Sequence, residues 1–227
     1  MTSSELKSAR HKAGLTQHNA AKRLGVTQPY LSMLERGKRS VSASVTVRVA
    51  TLLPLDPTSL PLSLTRAAPD EDEIHQQLGA LRYPGFAYLR GPVLRNPAEL
   101  LLQALDREQL DSRLCDGLPW LPLAFPNMNW TWLVREAKQR NRQNRLAYVV
   151  ELARQAAQRS KRPDTEERLT EVLASLESSR LACEDTLCNA KMTQVERRWL
   201  RSHSTLEAQH WNLLSDLKLE HLDHVYV

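Results

Sequence analysis

The sequence predicts an all-α protein made of two helical units. Strong helix formers, above all Leu, Ala, Arg, Glu and Gln, dominate the composition, whereas there are seven Gly and two Phe. A run rich in β-branched residues is confined to positions 41–49, which leaves little sequence for strands. A chain of 227 residues is long enough for two domains, each with its own hydrophobic core.

Charge is distributed unevenly between the two units. Residues 1–69 contain ten Lys or Arg and three Asp or Glu, a balance of +7, and the rest of the chain carries a balance of −2. A basic unit of this kind is suited to a polyanion, because each phosphate that it neutralises releases condensed counterions. A polyanion is therefore the class of ligand that the charge of the first unit favours.

The first unit is predicted to contain five short helices. Residues that accept hydrogen bonds from the first helical turn begin four of them, namely Thr2 with Glu5, Thr16, Thr27 and Ser42. Glycines suited to a left-handed stop end three of them, namely Gly14, Gly25 and Gly37. A last turn is expected at 57–60.

A proline-containing linker is predicted between the units. The chain has closely spaced prolines at Pro54, Pro57, Pro61 and Pro69. An acidic run, positions 70–73, follows directly. We therefore predict a basic helical domain at 1–62, a linker at 63–72 and a second helical domain at 73–227.

The second unit is predicted to be helical throughout most of its length. Shorter helices are expected at 70–82, 97–108 and 110–116, and longer ones at 130–160, 164–190 and 193–221. Glycine and proline predict a loop at 83–92, and three prolines argue against a regular helix at 118–126. Apolar stripes on the last two long helices suit either a hairpin packed on itself or a dimer interface.

Two adjacent segments, 16–26 and 27–37, have the anatomy of a helix-turn-helix. Two consecutive alanines let the helices approach closely, and Gly25 suits the turn between them. Leu31 and Leu34 supply apolar side chains for the core.

Residues 5–53 resemble the phage-repressor (Xre, or Cro/CI-type) helix-turn-helix family. They follow its pattern T-Q-x-x-A-x-x-L-G-V-(S/T)-Q-x-x-(I/L)-S-x-x-E-x-G-K at nearly every fixed position. In this motif the second helix lies in the major groove of DNA. The resemblance therefore implies a repressor-type fold for the first unit and an operator in double-stranded DNA as its ligand.

The resemblance and the exposed face of the second motif helix predict the residues that contact DNA. Those expected to contact bases are Thr27, Gln28, Pro29, Ser32 and Met33. Those expected to contact phosphates are Gln17, Arg36, Lys38 and Arg39. A glutamine can pair with adenine through two hydrogen bonds, and an apolar side chain can touch a thymine methyl. Pro29 is compatible with the helix because it lies in the first turn, where its missing N–H needs no acceptor.

Arg10 and Glu35 are predicted to form a structural pair. The family often places an arginine of its first helix against this glutamate, and both residues occupy matching positions. The alternative is two separately solvated charges.

Two groups in the second unit are candidates for partner binding. The tryptophans Trp120, Trp130 and Trp132 lie among prolines and form either a small core or a groove for a partner. Trp130 and Trp132 are two residues apart on a helix, so both cannot face one core. The cations of the basic run, including Arg135, Lys138 and Arg142, contact a partner, or else the run is a solvated face or the junction of two helices near Asn141.

The sequence gives no support for catalysis, a metal or a cofactor. It contains no Gly-rich phosphate loop, nucleophile elbow or His-Glu metal helix. Four histidines near the end of the chain, including His221 and His224, lack the spacing of metal ligands. Three cysteines cannot form a paired framework, and no signal peptide or long apolar run is visible, so a cytoplasmic protein is expected.

These features predict a transcriptional repressor that binds an operator as a homodimer. The architecture suggests more specifically the antitoxin of a toxin–antitoxin pair, which would repress its own operon and neutralise a toxin through residues 73–227. The alternative is a stand-alone repressor whose C-terminal domain senses a small molecule near the tryptophans.

Overall fold

The computed structural model describes residues 1–53, 56–63, 69–89, 91–93 and 95–222. Pro54, part of the predicted linker at 64–68, and His224 lie outside the described residues. The all-α class is confirmed, since helices account for nearly all of the regular structure and two-residue strands for the rest.

The first unit contains four α-helices with the predicted starts. They are α1 (Ser3–Lys12), α2 (Gln17–Leu24), α3 (Gln28–Glu35) and α4 (Ala43–Leu52). The capping box of α1 is present, because Thr2 Oγ1 accepts the Glu5 N–H and the Glu5 carboxylate accepts the Thr2 N–H. Thr16, Thr27 and Ser42 cap α2, α3 and α4 through their hydroxyl oxygens. Side-chain caps supplied by the residue directly before each helix therefore determine where these helices begin.

A small hydrophobic core holds the four helices together. Its fully buried side chains include Leu6 of α1, Leu31 and Leu34 of α3, and Val49 of α4. Helix α3 packs against both α1 and α2. One face of α3 is thus fixed to the core while the opposite face remains exposed.

The fifth predicted helix is a 3-10 turn, Pro57–Ser59, and the residues around it are bonded to the second unit. The Asn96 side-chain amide donates to the carbonyl oxygens of Thr58 and Leu60, each over 2.8 Å. The Ser63 N–H donates to Glu99 Oε2 over 3.2 Å. This stretch is therefore anchored to the start of α6 (Pro97–Leu105) in the second unit.

The second unit packs around one long, mostly buried helix. Its α-helices are α5 (Glu71–Ala80), α6 (Pro97–Leu105), α7 (Ser112–Gly117), α8 (Trp120–Ala124), α9 (Trp130–Gln139), α10 (Gln143–Arg159), α11 (Pro163–Glu177), α12 (Gln194–His203) and α13 (Leu206–His210). Strands β1 (Asp185–Thr186) and β2 (Leu213–Leu214) pair in parallel, and 3-10 turns occur at Pro84–Phe86 and Leu219–His221. Helix α10 lies at the centre and packs most extensively against α11. The three shorter helices predicted near the start of this unit are confirmed to within a few residues.

The prediction of one helix over roughly 130–160 is wrong, and the alternative of a junction of two helices near Asn141 is confirmed. Asn141 lies between α9 and α10 with a φ of 57°. Asparagine tolerates this left-handed conformation better than most residues, and the chain changes direction there. The two helices then pack against each other instead of continuing on one axis.

The predictions of long helices over 164–190 and 193–221 are also wrong. Helix α11 ends at Glu177, and the following chain is fixed by Arg145, whose Nε and Nη2 each donate to the Asp185 carboxylate over 2.7 Å. Helix α12 ends at His203 because Ser204 is extended and Thr205 caps the separate helix α13. Hydrogen bonds from a distant residue hold the chain that follows α11 out of a helix. A new N-cap, Thr205, separates α12 from α13.

The prediction of no regular helix over 118–126 is wrong for its middle part. Helix α8 covers five residues, with Pro122 as the third. The N–H groups of a first helical turn have no intrahelical acceptor, so proline is tolerated there. In the part of the chain that the structure describes, no helix is both long and apolar enough to cross a membrane.

Candidate nucleic-acid interface

The turn between α2 and α3 determines the direction of α3. Gly25 caps α2 with a φ of 64°, a left-handed conformation that glycine adopts at little cost. The Val26 N–H donates to the Ala21 carbonyl over 3.0 Å, which closes the turn. Thr27 then starts α3 by accepting the Tyr30 N–H over 3.4 Å. The first turn of α3 consequently projects from the surface.

Arg10 and Glu35 form a buried ion pair between α1 and the end of α3. Arg10 Nε lies 2.6 Å from Glu35 Oε1, and Arg10 Nη2 donates to Glu35 Oε2 over 3.1 Å. The side chains are 9% and 2% exposed, respectively. Arg10 Nη1 also donates to the Leu15 carbonyl over 2.8 Å. The pair therefore fixes α3 to α1, and Arg10 also binds the loop that precedes α2.

The Glu35 carboxylate is held in its charged form. Burial alone would raise its pKa, but hydrogen bonds from Arg10 and Gln17 and the charge of Arg10 outweigh burial and lower the pKa below the ordinary value of 4.5. Glu35 thus remains an acceptor for both donors near neutral pH.

A relay of hydrogen bonds extends from this ion pair to the exposed start of α3. Gln17 Nε2 donates to Glu35 Oε2 over 2.9 Å, and Gln28 Nε2 donates to Gln17 Oε1 over 2.9 Å. A glutamine side-chain amide has two N–H donors and an acceptor oxygen. Gln28 therefore retains one N–H and its oxygen, the donor and acceptor that a two-bond contact with adenine requires.

The residues predicted to contact bases lie along the outer side of α3. Thr27, Gln28 and Pro29 are exposed, and Ser32 and Met33 are half-buried one turn later. Pro29 occupies the second position of the helix, as expected from its place in the first turn. The structure therefore brings these five side chains together on the same end and side of α3.

The residues predicted to contact phosphates lie at both ends of the motif. Gln17 is half-buried at the start of α2, whereas Arg36, Lys38 and Arg39 are exposed after α3. The Arg39 guanidinium lies 5.9 Å from the centre of the Tyr30 ring, within range of a cation–π contact.

Sequence reasoning missed two contacts of this site. It assigned Gln17 to phosphate alone and did not connect it with Gln28 or Glu35. It also gave no role to Tyr30, which lies beside Arg39. Gln17 and Gln28 are eleven residues apart on two different helices, so no helical periodicity indicates a contact between them. The turn at Gly25 is what brings them together.

The tryptophans of the second unit have different environments. Trp120 and Trp130 are buried in the core, and Trp130 Nε1 donates to the Pro126 carbonyl over 2.7 Å. Trp132 is half-buried and lines an open cavity of about 700 Å³ together with Gln103 and Arg140. Of the three, Trp132 is thus the side chain placed at a cavity.

The cations of the basic run are bonded within the fold. Arg142 donates to Asp106 over 3.3 Å and to Glu108 over 2.8 Å. Lys138 Nζ donates to the Ser175 carbonyl over 3.1 Å. Arg135 is 60% exposed and lies 3.0 Å from Glu136. These contacts give each cation a structural partner.

Comparison with known proteins identifies the first unit. Residues 3–62 match the family described as a helix-turn-helix domain, and this match confirms the helix-turn-helix predicted from the sequence. No curated protein and no solved structure matches the chain.

Proposed function

We propose that this protein is a sequence-specific DNA-binding transcriptional repressor that binds its operator as a homodimer. The observation that carries the proposal is the relay from the buried Arg10–Glu35 pair through Gln17 to Gln28. It holds one polar side chain in a defined position at the exposed start of the second helix of a helix-turn-helix, the part of the motif that reads base edges. The Cro/CI-type resemblance of residues 5–53 supports the same role.

Base readout in this proposal is shared between polar and apolar contacts. Gln28 pairs with adenine, Ser32 contacts a donor or acceptor edge, and Met33 and Pro29 touch thymine methyl groups. Each good two-bond contact contributes about 1–3 kcal/mol of discrimination. Because Pro29 has no hydrogen-bonding side chain, Gln28 carries a large share of the specificity.

Phosphate contacts provide affinity and register. Arg36, Lys38 and Arg39 are exposed beside the reading helix, and Gln17 is half-buried at the start of α2. Contacts of this type position the protein without distinguishing sequences.

Selection of bound sequences from a random DNA pool by the full-length protein tests the proposal. Gln28→Ala should relax the preference at one base position of each half-site while leaving the remaining positions unchanged. Gln158→Ala, an exposed glutamine in the last turn of α10, is the matched control and should leave the selected sequence unaltered. Absence of any retained DNA at low salt would contradict the DNA-binding role.

A homodimer follows from the size of the reading surface. One helix-turn-helix reads a short half-site, and dimers of this class bind two half-sites about 34 Å apart. We therefore expect the selected sequences to be pseudo-palindromic with half-site centres about one helical turn apart.

The second unit supports the narrower proposal of an antitoxin. It has its own hydrophobic core, separate from that of the reading domain, and so provides a surface independent of DNA. Because Trp120 and Trp130 belong to that core, a toxin would contact other residues, and Arg135, whose side chain is 60% exposed, is the most accessible of those predicted. Co-expression with the adjacent gene should yield a complex, and failure to form one would rule out this role.

The cavity beside Trp132 supports the alternative of a small-molecule sensor. It measures about 700 Å³ and combines an aromatic ring with polar and charged groups, as ligand sites do. A ligand that binds the folded state raises the unfolding temperature, and the rise grows with the logarithm of the ligand concentration once this exceeds the Kd. A thermal-shift screen of metabolites against the full chain and Trp132→Ala separates this alternative from the antitoxin.

A further inference from the structure

Two cysteines of the second unit lie side by side, although they are far apart in the sequence. Cys115 belongs to α7, and Cys188 follows β1. Their sulfur atoms are hydrogen-bonded to each other, with the Cys115 S–H as the donor. The Cys115 sulfur also lies 3.8 Å from the carbonyl oxygen of Leu187, the residue directly before Cys188. We call Cys115 and Cys188 the thiol pair.

Backbone hydrogen bonds hold the two cysteines of the thiol pair together. The Leu110 N–H donates to the Cys188 carbonyl over 2.9 Å, and the Ala190 N–H donates to the Glu108 carbonyl over 2.9 Å. Helix α7, which carries Cys115, begins two residues after Leu110. The segment around Cys188 is thus bonded to the chain that leads into α7, and the contact between the sulfurs is built into the fold.

The surroundings of Cys188 favour a thiolate. Cys188 is buried, and its sulfur lies 3.9 Å from Nη1 of Arg145. The hydrogen bond from Cys115 and the positive charge of Arg145 lower the pKa of the Cys188 thiol, although burial and the nearby Asp185 oppose them. Because thiols in such close contact titrate as a pair, the first proton leaves a charge that both sulfurs share. A thiolate is the reactive form of cysteine.

A cavity gives small molecules access to the thiol pair. It measures about 430 Å³ and is lined by the half-buried Cys115. Leu187 and Asn189, the neighbours of Cys188 on either side, line it as well. This volume is many times that of a hydrogen peroxide molecule, so a peroxide can reach the Cys115 sulfur.

We propose that the thiol pair is a reversible redox site, which hydrogen peroxide entering this cavity oxidises to a Cys115–Cys188 disulfide and a dithiol reductant restores. This site is independent of the proposed repressor function, because neither cysteine belongs to the DNA-binding unit.

Oxidation proceeds in two steps. With the shared proton on Cys188, the Cys115 thiolate attacks one peroxide oxygen, the S–O bond forms and the O–O bond breaks. The departing hydroxide takes from solvent the proton that the thiol pair had lost and becomes water. The Cys188 sulfur then attacks the Cys115 sulfur, the S–S bond forms, and the S–O bond breaks. The second hydroxide leaves with the Cys188 proton as water, so two thiols lose two electrons and one hydrogen peroxide is reduced to two waters.

Disulfide formation changes the contacts of Cys188. As a thiol, Cys188 donates to the Ala104 carbonyl over 3.4 Å. Disulfide sulfurs lie about 2.05 Å apart, so the new bond draws the Cys188 sulfur towards Cys115 and away from Ala104 and Arg145. Oxidation therefore joins α7 covalently to the segment that follows β1.

Treatment of the folded, full-length chain with stoichiometric hydrogen peroxide tests the proposal. The reduced protein has three free thiols, and oxidation should leave one, with a monomer mass lower by two hydrogen atoms. Peptide mapping should show Cys115 joined to Cys188, and dithiothreitol should restore all three thiols. A wild type that keeps three thiols, or whose thiols form higher oxides in place of the disulfide, overturns the proposal.

Two cysteine variants test which sulfurs take part. Cys183→Ser is the matched control, because Cys183 is exposed, and this variant should form the same disulfide as the wild type. Cys115→Ser should lose the internal disulfide altogether, with its fold checked by circular dichroism. An internal disulfide that forms as readily in Cys115→Ser as in the wild type, or is lost in Cys183→Ser, would overturn the proposal.

Oxidation of the wild type in urea shows whether the fold selects the pairing, and this comparison does not depend on any variant folding. The unfolded chain should give a mixture of the three possible pairings of its cysteines, whereas the folded chain should give Cys115–Cys188 alone. The same mixture from the folded chain would overturn the proposal.

Discussion

At the scale of single residues, the exposed face of α3 that we propose reads DNA depends on side chains to which the proposal gives no base contact. Gln28 is oriented by Gln17, and Gln17 is held by the Glu35 carboxylate. A residue pattern alone identifies Gln28 as exposed and polar, but its rotamer is set by this relay.

Because Gln17 orients Gln28, substitutions at these two residues should have coupled effects on operator binding. Gln17→Ala should weaken operator binding and also reduce the preference for adenine, because it frees the Gln28 side chain. In a double-mutant cycle, the two alanine variants should show a coupling free energy of about 0.5–3 kcal/mol. Operator affinities of the four proteins, measured by anisotropy, give this quantity. Additive losses would show that the hydrogen bond between the glutamines is irrelevant to readout.

The buried pair predicts a loss of folding stability when one partner is removed. Arg10→Met leaves the Glu35 carboxylate buried without its cation, which should lower the free energy of unfolding by about 3–5 kcal/mol. Urea denaturation followed by circular dichroism measures this change.

Two further variants show whether the loss of stability in Arg10→Met comes from the broken ion pair. Lys12→Met removes an exposed cation from the same helix and should change stability by less than about 0.5 kcal/mol. Arg10→Met combined with Glu35→Leu removes both charges and should recover much of the loss. An equally unstable double variant would assign the effect to packing instead of charge.

At the scale of elements, the sequence predicted the helices whose ends are determined locally. Thr2, Thr16, Thr27 and Ser42 each cap a helix in the structure. The predictions of long helices in the second unit were wrong because the ends of the actual helices depend on distant contacts. Arg145, for example, binds Asp185, forty residues later, and no local pattern records that contact.

Asn141 allows the break between α9 and α10 to be tested. Its φ of 57° lies in the left-handed region, which costs alanine about 1 kcal/mol more than glycine or asparagine. Asn141→Ala should therefore destabilise the fold by about 1 kcal/mol although alanine favours helices, and Asn141→Gly should be nearly neutral. Chemical denaturation of both variants provides the measurement. A stabilising alanine would indicate that α9 and α10 can join.

At the scale of the whole molecule, chain length and the spacing of helix and proline signals predicted two units, and the structure has two hydrophobic cores. The sequence did not predict which tryptophans and cations of the second unit are accessible to a partner. Trp120 and Trp130 are core residues, and Arg142 is paired with Asp106 and Glu108. Composition indicates that tryptophans and cations are present, whereas burial and pairing decide whether a partner can reach them.

The segregation of charge predicts how salt affects DNA binding by the full chain. If the first unit alone contacts DNA, its cations determine the slope of log Kobs against log salt concentration, about −0.9 per phosphate contact. Lys38→Ala should reduce the magnitude of this slope by about 1 per subunit and lower affinity for all sequences alike. Lys161→Ala removes an exposed cation from the second unit and should leave the slope unchanged. A slope altered by Lys161→Ala would mean that DNA extends onto the second unit, even though that part of the chain carries a net charge of −2.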